Sequence, residues 1–255
     1  MKFALVSGQR QEPQPSLSGE CPGCGRTVVA KCGELRIWHW AHKGRLLCDP
    51  WWENETEWHR TWKNQFPTDW QEIVHTAEDG ERHISDVKTA DGWVIEFQHS
   101  HIKPEERRSR EAFYQKLTWV VDGTRRKRDG IQLLRAYGEG ISVRKGFPVR
   151  KIFSDESRLL REWASSNAPI FFDLGEAEPH LWFLLKTASG WSYVVPFPRD
   201  QFIKIHDALE PGLADQFGKL VNDLHGLIVE RELLSSRRIQ SLPPRPGVTR
   251  RRFRF

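Results

Sequence analysis

The stretch "SDVKTADGWVIEFQHSHI", residues 85–102, decides the fold because it predicts two antiparallel strands joined at a tight Asp-Gly turn. Successive side chains of a strand point to opposite faces, so the register of this hairpin fixes which polar groups meet. If residues 90–92 form a three-residue loop with Gly92 in the left-handed conformation, Asp86 lies directly opposite Glu96. A two-residue turn would place Asp86 on the other face.

Two carboxylates that face each other repel unless a cation lies between them. Mg²⁺ or Mn²⁺ suits such a pair, because carboxylate, carbonyl and water oxygens are their preferred ligands. We therefore predict a divalent-ion site at Asp86 and Glu96. A half-exposed strand with its polar side chains turned to solvent would give the same alternation, and this alternative stays open at the level of sequence.

A helix is predicted over residues 53–66, with an aromatic stripe along one side and Pro67 at its end. At 100° per residue, Glu55, His59 and Lys63 lie together beside this stripe. We predict that Glu55 reaches toward the sheet as a third acid and that Lys63 and His59 contact a phosphate or organise water. An ordinary surface ladder of charges with a spacing of four residues is the alternative.

The elements around the hairpin give the order helix, three strands, helix, strand, which favours a central sheet flanked by helices. The predicted strands and the second helix are 71–76, 82–90, 93–100, a helix opened by Pro104, and 118–122. Beyond them the pattern predicts a helix at 154–167 with Ser154 as its N-cap, three strands between 170 and 198, and helices at about 199–210 and 213–236. These later elements either form a separate small α+β domain or extend the same sheet.

The cysteines and several histidines cluster in the first fifth of the chain, which is typical of a metal site when the compartment is reducing. The five candidate zinc ligands are Cys21, Cys24, His39, His42 and Cys48. Zinc takes four of them in a tetrahedron; Cys21, Cys24 and His42 are three, and the fourth is His39 or Cys48. Cys32 is predicted to be a small buried residue. A structural zinc ion is therefore expected.

The charge pattern favours a polyanionic partner. The chain carries 39 Lys and Arg against 34 Asp and Glu, a net charge of +5, with basic clusters at 105–110, 124–130 and 243–255. A solvated face would explain any one cluster. No apolar run approaches the roughly 20 residues that span a bilayer, and the first ten residues are too polar for a secretory signal. We expect a cytoplasmic protein that binds nucleic acid and not a membrane.

Four segments together resemble the competence protein CoiA-like nucleases of the PD-(D/E)xK superfamily, over roughly residues 20–125. These segments are "CPGCGRTVVAKCGELRIWHWAHK", "NETEWHRTWK", "ISDV" with "VIEFQHSHI", and "RSREAFYQKLTWVVDG". The resemblance implies a metal-dependent DNA nuclease with a restriction-endonuclease-like αβββαβ core. Together with the zinc-binding module and the later elements predicted from the sequence pattern, the expected fold class is α/β (α+β), with a small N-terminal zinc-binding module and a C-terminal α+β extension.

The resemblance also implies roles for individual residues. Asp86, Glu96 and the Phe97 carbonyl would hold Mg²⁺ or Mn²⁺, and Gln98 stands where many members of the superfamily have a catalytic lysine. Glutamine carries no charge, so we expect Lys63, or failing that Arg110, to supply the positive charge that stabilises the reacting phosphate. The predicted nucleic-acid contacts are Arg110 and Tyr114, which match the family's Arg-x-x-x-Tyr, together with Arg107, Arg125 and Arg126.

The predicted organisation has five parts. They are a flexible lead-in at 1–19, a zinc-binding module at 20–50, a nuclease-like core at 51–145, an α+β region at 146–240 and a basic tail at 241–255. Two other functions remain possible: a non-catalytic nucleic-acid-binding protein on the same scaffold, which Gln98 favours, or an interaction module. For the latter, the apolar stretch 180–198 would offer a sheet edge to a second copy or a partner protein.

Overall fold

A computed structural model describes residues 1–44, 48–51, 54–188, 190–207 and 212–240, and the predicted basic tail lies outside these ranges. Within them the chain forms two sheets and six α-helices. The strands are β1 Ala4–Val6, β2 Gln9–Gln11, β3 Ser18–Glu20, β4 Thr27–Lys31, β5 His39–His42, β6 Gln71–Thr76, β7 Arg82–Lys88, β8 Val94–Gln98, β9 Leu117–Asp122, β10 Ile141–Ser142, β11 Arg150–Phe153, β12 Ile170–Asp173, β13 His180–Ala188 and β14 Trp191–Pro198. The helices are α1 Glu57–Lys63, α2 Pro104–Phe113, α3 Asp129–Glu139, α4 Arg158–Trp163, α5 Arg199–Ile205 and α6 Leu213–Gln240. Within the described ranges, none of the helices is both long and apolar enough to cross a bilayer.

The larger sheet has nine strands in the order β10-β11-β14-β13-β12-β9-β8-β7-β6. Strands β6, β7 and β8 form an antiparallel meander, and β8 then runs parallel to β9, as β9 does to β12. The predicted order of helix, three strands, helix and strand is therefore present from α1 to β9. The C-terminal region adds its strands to the same sheet, which answers the question that the sequence left open.

The two faces of this sheet carry separate hydrophobic cores. Trp119, Leu133 and Trp163 belong to the core shared with α2, α3 and α4. Trp62 and Phe202 belong to the core shared with α1, α5 and α6. All five residues of β8 are buried, because this strand has neighbours on both sides and cores on both faces. The alternative of a half-exposed strand is therefore wrong, and the polar groups of β8 lie inside the protein.

The smaller sheet has the order β2-β1-β3-β4-β5 and is built from the N-terminal region. Residues 1–19 contribute three of its strands, so the expected flexible lead-in is wrong for this segment; Phe3 and Ala4 are buried. Its core is small, formed by the buried residues Met1, Ala4, Cys21, Val28 and Trp40. Ile84 of β7 packs against this core and joins the two sheets.

Local chemistry explains where the helices differ from the prediction. Helix α1 begins later than predicted because Thr56 is its N-cap, with His59 completing a capping box. Helix α4 begins after Ser157 and not after Ser154, which starts a short 3-10 turn. Helix α3 was not predicted, because the basic residues before it obscured its short apolar stripe.

The apolar stretch that was predicted to offer a sheet edge forms β13 and β14. Strand β13 pairs with β12 and β14, and β14 pairs with β11 and β13, so both are interior strands whose hydrogen-bonding edges are already used. The proposed edge pairing through residues 180–198 is therefore wrong. Ser189, part of the predicted turn between these strands, lies outside the described residues.

Candidate active site

The β7–β8 hairpin has the register that the carboxylate hypothesis required. Val87 pairs with Ile95, and residues 90–92 form a three-residue loop in which Gly92 has a φ of +80°. Asp86 therefore lies at the position opposite Glu96. A glycine tolerates this left-handed backbone without steric cost, so Gly92 permits the three-residue loop, and the loop sets the register.

Each of the two carboxylates also crosses to the backbone of the other strand. The Phe97 amide donates to Asp86 Oδ2 at 2.9 Å, and the Asp86 amide lies 3.4 Å from Glu96 Oε1. From helix α2, Arg110 Nη1 donates to Glu96 Oε2 at 3.0 Å. The two acids are therefore fixed relative to the sheet, and Arg110 is the cationic partner of Glu96.

Lys63, at the end of α1, joins three acids. Its Nζ lies 2.6 Å from Glu55 Oε1, 2.9 Å from Glu72 Oε1 and 3.8 Å from Asp86 Oδ1. The lysine side chain is only 3% exposed, so these charges interact with little screening by water. The predicted grouping of Glu55, Lys63 and Asp86 is present, although Glu55 precedes the helix that was expected to carry it.

Glu72 of β6 belongs to the same cluster and was missed by the sequence analysis. Its carboxylate accepts hydrogen bonds from the backbone amides of Lys2 and Phe3, at 2.7 and 3.0 Å. Its own φ is +49°, a left-handed backbone that is rare and costly for a residue with a side chain. A strained backbone and a partner seventy residues away leave no signal in the local pattern.

The pKa values of Glu55 and Glu72, the two acids nearest to Lys63, are lowered. Burial alone would raise the pKa of Glu72, but Lys63 and the nearby backbone amide outweigh it and lower this pKa to about 2. Burial likewise opposes ionisation of Glu55, whose pKa is nevertheless lowered, mainly by Lys63. Burial acts to lower the pKa of Lys63, but Glu72, Glu55 and Asp86 raise it on balance. Arg60 also pairs with Glu55, at 2.9 Å, so Glu55 and Glu72 are charged and share two cationic partners, Lys63 and Arg60.

Asp86 and Glu96 behave differently. Burial raises the pKa of Asp86, and Lys63 only partly offsets this effect. Burial and the charge of Asp86 raise the pKa of Glu96 to about 8, even with Arg110 beside it. These two carboxylates therefore sit where the positive charge is insufficient for both to ionise, which is the electrostatic condition that a bound cation relieves.

A cavity of about 430 Å³ connects this acidic site with the N-terminal sheet. Its lining includes Glu55, His59, Lys63, Glu72, Asp86, Glu96 and Arg110 on one side, and Met1, Trp40, His42 and Cys48 on the other. His59 Nδ1 lies 3.3 Å from the Thr56 amide, so this nitrogen is an acceptor in the cap of α1. The N-terminal module is therefore a wall of the acidic cavity.

Gln98 occupies a different place from the other predicted catalytic residues. It is buried, and its Nε2 donates to the Ser100 carbonyl at 3.2 Å. Among the described residues, β8 contributes Glu96 and Phe97 to the wall of the cavity. Gln98 is thus not among the residues that line the cavity.

The residues predicted to contact nucleic acid divide into two groups. Arg107 is buried and donates to the Glu162 carbonyl and the Ser165 hydroxyl, and Tyr114 is buried as well, so surface phosphate contacts by these two are wrong. Arg110 is also buried but lines the cavity. Arg125 and Arg126 are half-buried in the loop before α3. Arg126 pairs there with Glu162, and its neighbours Lys127 and Arg128 are exposed.

Four of the five predicted zinc ligands come together in the N-terminal sheet. The ligand atoms of Cys21, Cys24, His42 and Cys48 all lie within 4.8 Å of one another. The Cys21 and Cys48 sulfurs are 3.7 Å apart, and Cys24 Sγ is 3.3 Å from His42 Nε2. Zinc–ligand bonds of about 2.0–2.3 Å place tetrahedral ligand atoms roughly 3.3–3.8 Å apart. Spacing and donor type both fit a zinc ion.

The fourth residue of this cluster is Cys48 and not His39. His39 begins strand β5, and its Nδ1 lies 2.9 Å from the Ile37 carbonyl. The sulfur of Cys48, by contrast, lies beside the sulfur of Cys21. Cys32 follows the end of β4, is half-buried and stands outside the cluster. Burial raises the pKa values of the Cys21 and Cys48 thiols, so their ionisation depends on a cation such as zinc.

Replacing Lys63 by methionine is expected to destabilise the protein by about 3–5 kcal/mol, because it leaves Glu55 and Glu72 as buried charges without their main partner. Chemical denaturation would measure the change. The matched control is Lys116→Met, which removes the exposed pair with Asp215 and should cost less than about 1 kcal/mol. Equal losses in the two variants would contradict the central role of Lys63.

The chain thus combines a cysteine–histidine cluster of the kind that can hold a zinc ion with a mixed α/β sheet that carries an acidic cavity. Residues 18–49, which contain all four cluster residues, match the family model described as competence protein CoiA, N-terminal domain. This match supports a relationship to the CoiA family. No curated protein and no solved structure matches the chain.

Proposed function

We propose that this protein is a metal-dependent nuclease that hydrolyses DNA phosphodiester bonds with the acidic cavity as its active site. The observation that carries the proposal is the Asp86–Glu96 pair, which lines a cavity and has raised pKa values, with Glu96 buried and Asp86 half-buried. The αβββαβ order from α1 to β9 is that of the PD-(D/E)xK core, and the CoiA match at residues 18–49 agrees with the resemblance of the longer segment.

Asp86, Glu96 and the Phe97 carbonyl would hold one or two Mg²⁺ or Mn²⁺ ions, since these groups offer the oxygen ligands that both ions prefer. When bound, such an ion polarises a phosphodiester and lowers the pKa of an attacking water. Arg110 keeps Glu96 in place by a hydrogen bond at 3.0 Å, the role that outer partners of metal ligands commonly have.

Lys63 supplies the positive charge that the uncharged Gln98 does not provide. Its ammonium group is 3.8 Å from Asp86, so it can place positive charge beside a phosphate bound at this carboxylate. Glu55 and Glu72 fix the ammonium group at 2.6 and 2.9 Å. Glu55 therefore acts on Lys63 in this mechanism and not as the ligand of a second ion.

DNA is the proposed partner, and a step in competence-related DNA processing is the proposed setting. The exposed Lys127 and Arg128, with Arg125 beside them, offer charge to backbone phosphates, a contact that gives affinity without sequence preference. The zinc-bound N-terminal module would form one wall of the cavity beside the bound DNA strand.

The proposal is tested by incubating purified protein with linear, circular and single-stranded DNA in Mg²⁺, Mn²⁺ or EDTA, beside an Asp86→Ala, Glu96→Ala double variant. Cutting by the wild type alone, abolished by EDTA, is the expected result. Equal cutting by both proteins would place the activity elsewhere and overturn the assignment.

A non-catalytic DNA-binding scaffold is the second candidate. Two observations favour it: Glu96 already has a partner in Arg110, at 3.0 Å, and Gln98 lies outside the described lining of the cavity. This function predicts DNA binding that is insensitive to EDTA, no cutting by the wild type, and unchanged binding by the double variant.

A further inference from the structure

The segment from Cys48 to Trp51 connects the metal cluster with the acidic site over only three residues. Cys48 lies in the cluster, with its sulfur 3.7 Å from that of Cys21. At the other end, the Trp51 carbonyl accepts a hydrogen bond of 2.7 Å from Arg110 Nη2. The same guanidinium donates through Nη1 to Glu96. A displacement of this segment would therefore reach the proposed metal ligand through one side chain.

Asp49 fixes the segment to strand β7. Its Oδ2 accepts from the Ile84 amide at 2.9 Å, and its Oδ1 accepts from the Trp51 amide at 2.9 Å and lies 2.9 Å from His83 Nδ1. Trp51 in turn stacks on His83, with the ring planes 9° apart. Asp49 is buried, so it holds these amides with little competition from water.

We propose that Asp49 is a positioning residue that couples the metal state of the Cys/His cluster to the Glu96–Arg110 pair. When zinc holds Cys48, Asp49 holds Trp51, and the Trp51 carbonyl keeps Arg110 aimed at Glu96. When the cluster is empty or Asp49 is lost, Arg110 loses an anchor and Glu96 loses its orientation. The importance of this coupling for catalysis rests on the proposed nuclease function, but the coupling itself does not.

Asp122 provides a matched control because it repeats the local chemistry of Asp49. It is buried, its Oδ1 accepts from the Thr124 amide two residues on, and its Oδ2 lies 2.6 Å from His99 Nδ1. It does not, however, join the described cluster to Arg110. Asp122→Asn therefore removes a comparable carboxylate from a place where no coupling is expected.

The test is hydrogen exchange measured by mass spectrometry on Asp49→Asn and Asp122→Asn with zinc bound, and on wild type before and after zinc removal. The zinc content of Asp49→Asn should stay near one ion per chain. Exchange in β8 and α2 should rise by about tenfold or more in Asp49→Asn and in zinc-free wild type, while β14 stays unchanged. Asp122→Asn should match wild type in β8 and α2.

Exchange in β8 and α2 that is the same in wild type, zinc-free wild type and zinc-loaded Asp49→Asn would overturn the coupling. If Asp49→Asn fails to fold, zinc-loaded Asp49→Glu, which keeps the charge but displaces the carboxylate from the Ile84 and Trp51 amides, takes its place in the comparison. Mn²⁺ titration followed by electron paramagnetic resonance separates the coupling from the nuclease function. A 10–100-fold weaker affinity in Asp49→Asn supports both. An absence of Mn²⁺ binding in wild type, beside an intact exchange response, supports the coupling and counts against the nuclease.

Discussion

Replacing Asp86 by asparagine is expected to lower Mn²⁺-dependent DNA cleavage by roughly a thousandfold or more, while the protein stays at least as stable as the wild type. Asparagine keeps the acceptor for the Phe97 amide but removes the charge that the ion needs. Burial raises the pKa of Asp86 above its ordinary value of 3.8, so the ionised carboxylate costs stability in the folded state. Activity and stability should therefore move in opposite directions.

The sign of this effect can be checked against pH. Below the ordinary pKa of 3.8 the carboxyl group is protonated in both folded and unfolded protein, so the substitution gains nothing. As the pH rises toward the raised folded-state pKa, the wild type bears a growing cost that the variant avoids. Thermal unfolding in EDTA at about pH 5 and about pH 8 measures the difference.

The matched control is Asp200→Asn, an exposed carboxylate paired with Lys204 on α5, which should leave cleavage unchanged. Because the hydrogen bond from Lys204 lowers the pKa of Asp200, this variant should gain no stability at the higher pH. An Asp86→Asn variant that cuts at the wild-type rate would exclude Asp86 as a metal ligand. A variant that is clearly less stable at the higher pH would show that the protein favours the ionised carboxylate in the absence of metal.

Removal of zinc, or the substitution Cys21→Ser, is expected to unfold the N-terminal sheet while the nine-stranded sheet remains. Among the residues that the structure describes, five buried side chains form the hydrophobic core of the smaller sheet, too few to hold it without a further constraint. Binding of a structural zinc contributes about 10–16 kcal/mol in small domains, and much of this becomes folding free energy. Without it, limited proteolysis should cut within residues 1–44, while β12, β13 and β14 stay resistant.

Cys32→Ser is the control for this experiment, because Cys32 is half-buried and outside the cluster. It should retain one zinc ion per chain and wild-type resistance to protease, whereas Cys21→Ser should lose both. If the zinc-free protein keeps its N-terminal sheet, the cluster is not the constraint that stabilises it.

The sequence predicted the hairpin correctly because its determinants are local. The alternation of β8 and the Asp-Gly turn left two registers open, and the observed three-residue loop is the one that places Asp86 opposite Glu96. The choice between His39 and Cys48 could not be made in this way, since both spacings along the chain suit a zinc ligand. In the folded protein, the next residue, Asp49, binds the backbone of β7, and Cys48 lies beside Cys21.

The residues that were missed or misassigned all depend on partners distant in sequence. Glu72 binds the amides of Lys2 and Phe3, which no periodicity could associate with it. Arg107 lies in a basic cluster and was taken for a surface residue, but its guanidinium is buried against α4 and the residues after it. A basic residue in the sequence indicates a polar partner, but the fold determines whether that partner is another part of the protein or a separate molecule.

The row of acids across the meander has a consequence for the order of folding. Glu72, Asp86 and Glu96 occupy matching positions on the neighbouring strands β6, β7 and β8, so their charges oppose the pairing of these strands. Lys63 and Arg110, which relieve the repulsion, arrive on helices that flank the meander in the chain. We expect the apolar strands β9 and β12 to provide the nucleus and the acidic row to close late. In a partly folded chain, Glu72, Asp86 and Glu96 would then stay apart until the two helices bring Lys63 and Arg110 to them.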